Sequence, residues 1–129
     1  MTVRGLLDTS VFIADEHGRE LASDRLPDEA AISVATLAEL ELGVHMAASE
    51  AVRGRRLRTL QATQSTYVAL QVDDAVASAF AELVATARRA GRRPKVQDTW
   101  IAATALAAAV AVYTQDDDYD GLAVAVVRV

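Results

Sequence analysis

The feature that most constrains this chain is an alternation. Short apolar runs, each closed by a polar or acidic residue, are separated by longer segments whose apolar residues recur at three- and four-residue spacing. Val3 to Leu7 is the first such run, ending at Asp8-Thr9-Ser10, which offers capping side chains to a helix entered at Val11-Phe12-Ile13. A second helical piece is expected from Arg19 to Leu26, stopped by Pro27-Asp28. Ala30 to Val34 reads as a brief strand, and Ala35 to Ala47 as a helix with Leu37, Leu40 and Val44 on one face.

Glu50 to Ser65 reads as a basic helix with Leu57 and Leu60 inward, and Tyr67 to Val72 as a strand. Asp73-Asp74 suits the amino terminus of a helix over Ala75 to Ala90, burying Val76, Phe80, Leu83, Val84 and Ala87 and ending at Gly91. Pro94 disfavours helix at Arg93, and Asp98 opens the next helix. The run Trp100 to Ala109 is apolar on nearly every face and predicts a helix covered on all sides. Strands are expected at Ala111 to Thr114 and Ala123 to Val129, with a loop from Gln115 to Gly121.

Alternating strands and helices predict an α/β fold: a parallel sheet in a three-layer α/β/α sandwich, with the strands' carboxyl ends along one edge. At 129 residues the chain is expected to form one domain. It has no cysteine, which excludes disulfides, thiolate metal sites and cysteine nucleophiles and fits a reducing cytosol. The amino terminus turns charged at Asp8, short of a secretory signal's apolar core, and Ile101 to Tyr113 is too short for a membrane span of about 20 residues. A soluble, cytoplasmic protein is expected.

Net charge is −5, which by itself argues against a nucleic-acid partner. Its distribution argues otherwise. Residues 53 to 95 hold nine of the thirteen basic side chains and three acids, a net +6, leaving −11 on the rest. A basic surface beside an acidic pocket suits a phosphate ligand steered by the first while a metal neutralises the second. Solvated helix faces would produce the same arginine count.

Asp8, Glu39, Asp98 and the run Asp116-Asp117-Asp118 each fall at a strand end or early in a helix. Singly, each has a plain explanation as cap, surface residue or Asx turn. Jointly they converge on the edge where open α/β sheets bind ligands. Converging carboxylates repel unless a cation intervenes, and oxygen-only ligation points to Mg²⁺ or Mn²⁺. His17 and His45 lack spaced partners, which argues against zinc. Asp8, Asp98 and Asp116 are candidate ligands for phosphodiester hydrolysis, and Glu39 ligates directly, through water, or orients the nucleophile. Ser10 can bond a carboxylate, a water or a phosphate, or cap the helix, and Thr114 can tie down Asp116. Gly43 either leaves space above Glu39 or permits close helix packing.

Leu6-Leu-Asp8-Thr-Ser10-Val-Phe-Ile13, Ala35-Thr-Leu-Ala-Glu39-Leu-Glu-Leu-Gly43, Asp98-Thr-Trp-Ile-Ala-Ala-Thr-Ala105 and Thr114-Gln-Asp116-Asp-Asp118-Tyr together resemble a PIN-domain ribonuclease, most of all the VapC toxin branch. The resemblance implies a Mg²⁺- or Mn²⁺-dependent endoribonuclease with a five-stranded parallel sheet in order 3-2-1-4-5, a homodimer, and a cognate antitoxin. It implies Asp8, Glu39, Asp98 and Asp116 as the acidic quartet, with Asp118 auxiliary. Tyr119 stands where the family has Phe, and three consecutive aspartates leave the fourth ligand open between Asp116 and Asp118, Asp116 being favoured by its spacing from Thr114. Arg92, Arg93 and Lys95 are expected to contact RNA phosphates.

Two other readings compete. A phosphoaspartate-forming α/β domain would use a strand-end Asp as nucleophile, but Ser10 stands where a second acid is wanted and the sole lysine is Lys95. A non-catalytic interaction module would keep the acidic groove only to bind a basic peptide.

Overall fold

A computed structural model describes residues 1–129. Five parallel strands form one sheet: β1 (Arg4–Leu7), β2 (Glu29–Ser33), β3 (Ala69–Leu70), β4 (Ala111–Thr114) and β5 (Val126–Arg128), in order β3-β2-β1-β4-β5. The helices are α1 (Thr9–Glu16), α2 (Val34–His45), α3 (Glu50–Thr66), α4 (Asp74–Arg89) and α5 (Val96–Ala107). The expected fold class and strand order both hold.

Alternation along the strands divides the core in two. Leu6 and its neighbour Val112 face α4 and α5, joining Val76, Leu83 and Ile101. Leu7, Ile32 and Tyr113 face the other way and pack with Val11 and Phe12 of α1, Leu40 of α2 and Leu60 of α3. α1 and α2 begin directly off β1 and β2, because Asp8 and Ser33 end those strands and cap the helices, accepting from the backbone N–H of Ser10 and Ala35. Asp73 does the same for α4, accepting from Val76 N at 3.0 Å.

Several boundaries differ from the sequence expectation. No helix covers Arg19 to Leu26; only a 3-10 turn at Ser23–Arg25 forms. Gly18, at φ +70°, turns the chain out of α1, and Leu21 and Leu26 merely anchor the following segment to the core. Leu57 is exposed while Leu60 and Thr63 are buried, so α3 touches the core along one narrow stripe. The strand expected at Tyr67 to Val72 shrinks to two paired residues on the sheet's edge.

α5 starts at Val96, putting Asp98 in its first turn; Thr99 and Ile101 to Ala105 are buried, Trp100 is half-buried, and the last two residues, Leu106 and Ala107, are exposed. Its tail ends in a left-handed turn: Ala109 has φ 57°, and the Val110 N–H returns to the carbonyl of Ala105 at 3.0 Å. The last strand pairs over three residues only, Val126–Arg128, and Tyr119 of the expected loop and Leu122 just after it are buried in the core with α4 and α5.

Gly5 sits in the central strand β1 where the Tyr113 ring of β4 crosses it. A methyl there would collide with that ring and lie 3.1 Å from Pro27 Cγ. Gly5→Ala should therefore cost about 1–3 kcal/mol, seen as a lower urea midpoint. An unchanged midpoint would show that the ring moves aside freely.

Candidate active site

Asp8 is the residue from which the site is built. It is 2% exposed at the carboxyl end of the central strand. Its Oδ1 accepts from the Ser10 N–H at 3.1 Å and the Ser10 hydroxyl at 2.6 Å, and its Oδ2 accepts from the Thr114 hydroxyl at 3.0 Å. Ser10 Oγ in turn accepts from Gln115 N at 2.9 Å, and Thr114 Oγ1 accepts from Asp116 N at 2.9 Å. The ends of β1 and β4 and the start of α1 are thus sewn together around one carboxylate. Asp8 rather than Ser10 caps α1, which frees the Ser10 hydroxyl for this network. Thr114 ties down Asp116 through its backbone.

Glu39 reaches the same region from α2, its Oε1 accepting from the Thr9 hydroxyl at 2.8 Å. Thr9 also lies 3.2 Å from the Thr36 hydroxyl, so a small hydroxyl chain steadies this acid. Asp98 enters from the first turn of α5 with its Oδ2 buried and without a hydrogen-bond partner. Asp118 pairs with Lys95 at 3.3 Å, and Asp117 pairs with Arg128. Asp8, Glu39, Asp98, Asp116 and Asp118 line one cleft of about 420 Å³, with Ser10, Lys95 and Arg19 on its walls.

Electrostatics follow from that crowding. Burial pushes the Asp8 carboxyl up to about 6, against the bonds from Ser10 and Thr114, with Asp116 adding repulsion. Burial likewise raises Asp98 to about 6, helped by Asp118 and Glu39 and opposed by Lys95. The hydrogen bond and charge of Asp118 hold the exposed Lys95 ammonium above its usual range. Tyr119 is wholly buried; its hydroxyl finds no partner of full hydrogen-bond geometry, although it lies near enough to Asp8 to favour the charged carboxylate. Burial pushes its own ionisation far up.

No three acidic or histidine side chains close around a common point that would hold an ion. The carboxylates share the cleft and stand apart within it. His17 and His45 lie outside the cleft-lining set, at the carboxyl ends of α1 and α2. Arg56 of α3 lies beside Gly43, its Nη1 donating to the Gly43 carbonyl at 2.7 Å, but a Cβ there would meet only Arg56 Cδ at 3.8 Å, an ordinary contact, so close helix packing does not require that glycine. Arg92 turns toward Gly121 at 3.4 Å, and Arg93 lies outside the cleft. Sequence reasoning missed Thr9 and Arg19. Thr9 was legible only as a capping hydroxyl, and Arg19 fell in a segment read as helix.

The raised carboxyls carry a sign. A folded-state pKa near 6 for Asp98, against 3.8 for the free group, means that the folded chain keeps its proton to higher pH than the unfolded one. The charged form therefore costs stability above pH 6, and the cost fades as pH falls toward 3.8. In metal-free buffer Asp98→Asn should melt higher than the parent at pH 7.5, with the gap closing near pH 4. A gap that persists or widens at pH 4 would mean that Asp98 is not under this strain.

The family model described as PIN domain matches residues 5–125. Ribonuclease VapC5 of Mycobacterium tuberculosis is 47% identical over 118 residues, covering 92% of this chain and 87% of that protein. Ribonuclease VapC4 of the same organism is 46% identical over 117 residues, covering 90% and 88%. The crystal structure of VapBC-5, a member of the VapBC family of toxin–antitoxin systems from Mycobacterium tuberculosis, matches with a TM-score of 0.88 at 42% identity, over 98% of both chains. A sheet in the order β3-β2-β1-β4-β5, an acidic cleft at its carboxyl edge and this depth of sequence identity make the chain a member of the PIN-domain family, among the VapC ribonucleases.

Proposed function

We propose that this chain is a metal-dependent endoribonuclease toxin that hydrolyses RNA phosphodiester bonds at the acidic cleft and is held in check by a cognate antitoxin. The observation that carries the reading is the meeting of five carboxylates, up to 110 residues apart in sequence, in one cleft of about 420 Å³. A buried carboxylate oxygen left unpaired, as Asp98 Oδ2 is, wants a positive partner. The donor set is all oxygen, which suits Mg²⁺ or Mn²⁺ rather than a soft metal.

Asp8, Asp98 and Asp116 are the side chains that would have to draw together to hold the ion, since they stand apart without it. The chemistry it supplies when bound is a lowered pKa for an attacking water and positive charge against the phosphoryl oxygens. The chain's own residues do the rest. Ser10 and Thr114 fix the Asp8 carboxylate and favour its charged form despite its burial. Thr9 steadies Glu39, which ligates or orients the attacking water. Asp118 is held by Lys95, so Asp116 is the freer of the two for the fourth position. Arg92, Arg93 and Lys95, in the stretch that leads into α5, attract the substrate backbone.

A ribonuclease that acts on its own cell's RNA needs restraint, and the relatives solved as toxin–antitoxin complexes support a protein inhibitor here too. An inhibitor arginine entering the cleft would neutralise the carboxylates as a cation does. A homodimer belongs to the same reading. No helix is long and apolar enough to cross a membrane. The phosphoaspartate alternative gains nothing from Lys95, whose ion pair is with Asp118 and not Asp8.

Purified protein incubated with total RNA should cleave it with Mg²⁺ or Mn²⁺ and not with chelator. Asp98→Asn and Glu39→Gln should each lower turnover by at least about a hundredfold, the scale of losing one electrostatic stabiliser, while circular dichroism stays native. Parental turnover in either variant would reject the assignment.

A further inference from the structure

Beside the acidic cleft, the end of α4 and the loop 90–95 enclose a second hollow of about 170 Å³. Its apolar wall is Phe80, Val84 and Pro94, its charged rim Arg88 and Arg93, and Val96 closes one side. Val96 also lines the acidic cleft, so the two adjoin. Arg88 and Arg93 extend outward, with Arg92, around a wider opening of about 490 Å³. No acidic side chain lines either space.

None of the chain's five ion pairs uses Arg88 or Arg93. Two guanidinium groups free of internal partners are therefore presented beside an apolar wall. The Phe80 ring is stacked on Trp100 with centroids 3.8 Å apart and planes at 18°. The hollow is below the roughly 300–1,000 Å³ of sites that enclose a whole drug-sized ligand, and so suits one flat ring system.

We propose that this hollow is a subsite for one unstacked nucleotide of single-stranded RNA flanking the bond that is cut. The base lies against Phe80, Val84 and Pro94, and its neighbouring phosphates meet Arg88 and Arg93. Sequence-selective proteins read single-stranded RNA by splaying bases onto aromatic or guanidinium surfaces, and the phosphates supply the salt-dependent part. An acidic protein tail would use the arginines but has no need of the apolar wall. Because Val96 separates hollow from cleft, the bound base would set which phosphate reaches Asp8 and Asp98. This inference rests on the ribonuclease reading and adds where selectivity comes from.

The test uses a short single-stranded oligoribonucleotide that the parent chain cleaves, bound to the Asp98→Asn variant and followed by fluorescence anisotropy. An abasic ribose is moved along the strand one position at a time. One position beside the cut should weaken binding about fivefold or more, the scale of losing one stacked base. Arg88→Gln with Arg93→Gln, both exposed, should flatten the salt slope by about 0.7 for each phosphate no longer neutralised. Phe80→Leu, which keeps an apolar side chain in the core, should abolish the abasic penalty without flattening that slope. Uniform abasic sensitivity would overturn the base pocket. Unchanged RNA affinity and slope in the arginine double variant would overturn the subsite and leave those arginines to a protein partner. A parent chain that cleaves no RNA would instead reject the ribonuclease reading itself, and this subsite with it.

Discussion

Burial of the Asp8 carboxylate is the constraint around which the rest of the molecule is arranged. A charged group 2% exposed is costly unless its oxygens are bonded, and here three donors from Ser10 and Thr114 reach it. Those bonds need β1 and β4 side by side and in register, which the pairing of Leu7 with Tyr113 provides. They need α1 to start at once after β1, which Asp8 itself achieves by capping it. The fold and the site are therefore set by the same few interactions, and a change in the register of the central strands would dismantle both.

The second constraint is charge crowding. Asp8 and Asp98 are both raised to about 6 because burial and neighbouring acids disfavour their charged forms. Lys95 is the single cation paired within the cleft, and it is committed to Asp118. The cleft thus sets two positive side chains, the paired Lys95 and Arg19, which has no ion pair, against five acids, and Arg92 and Arg93 of the α4–α5 loop lie outside it. Under the proposed function, that division assigns the inner carboxylates to a metal ion and the outer arginines to RNA phosphates.

Much of this was legible in the sequence because capping chemistry is local. Asp8-Thr9-Ser10 after an apolar run, Asp98 near a helix start and Thr114-Gln115-Asp116 after another apolar run are patterns that a few neighbouring residues determine. The parallel sheet was legible from the alternation of strand and helix patterns, and its strand order from the family resemblance. What depended on distant packing was not. The bond from Thr9 to Glu39 joins residues 30 apart, and the ion pair of Lys95 with Asp118 joins residues 23 apart. Tyr119 looked like a loop residue and is core, as is Leu122 just beyond the expected loop, since an irregular segment can bury a side chain without showing any period. The stretch Arg19 to Leu26 has helical composition, yet its two leucines are pinned to the core around a short 3-10 turn instead.

The central claim, that Asp8 and Asp98 form a proton-retaining site open to a divalent cation, is tested most directly by calorimetric titration of Mn²⁺ into the metal-free chain. Running it at pH 6 in two buffers of different ionisation enthalpy counts the protons displaced. With both carboxyls near 6, binding should expel protons at pH 6, and that release should vanish at pH 8 while binding itself tightens. Binding with no proton release at pH 6, or no binding at either pH, would contradict the account.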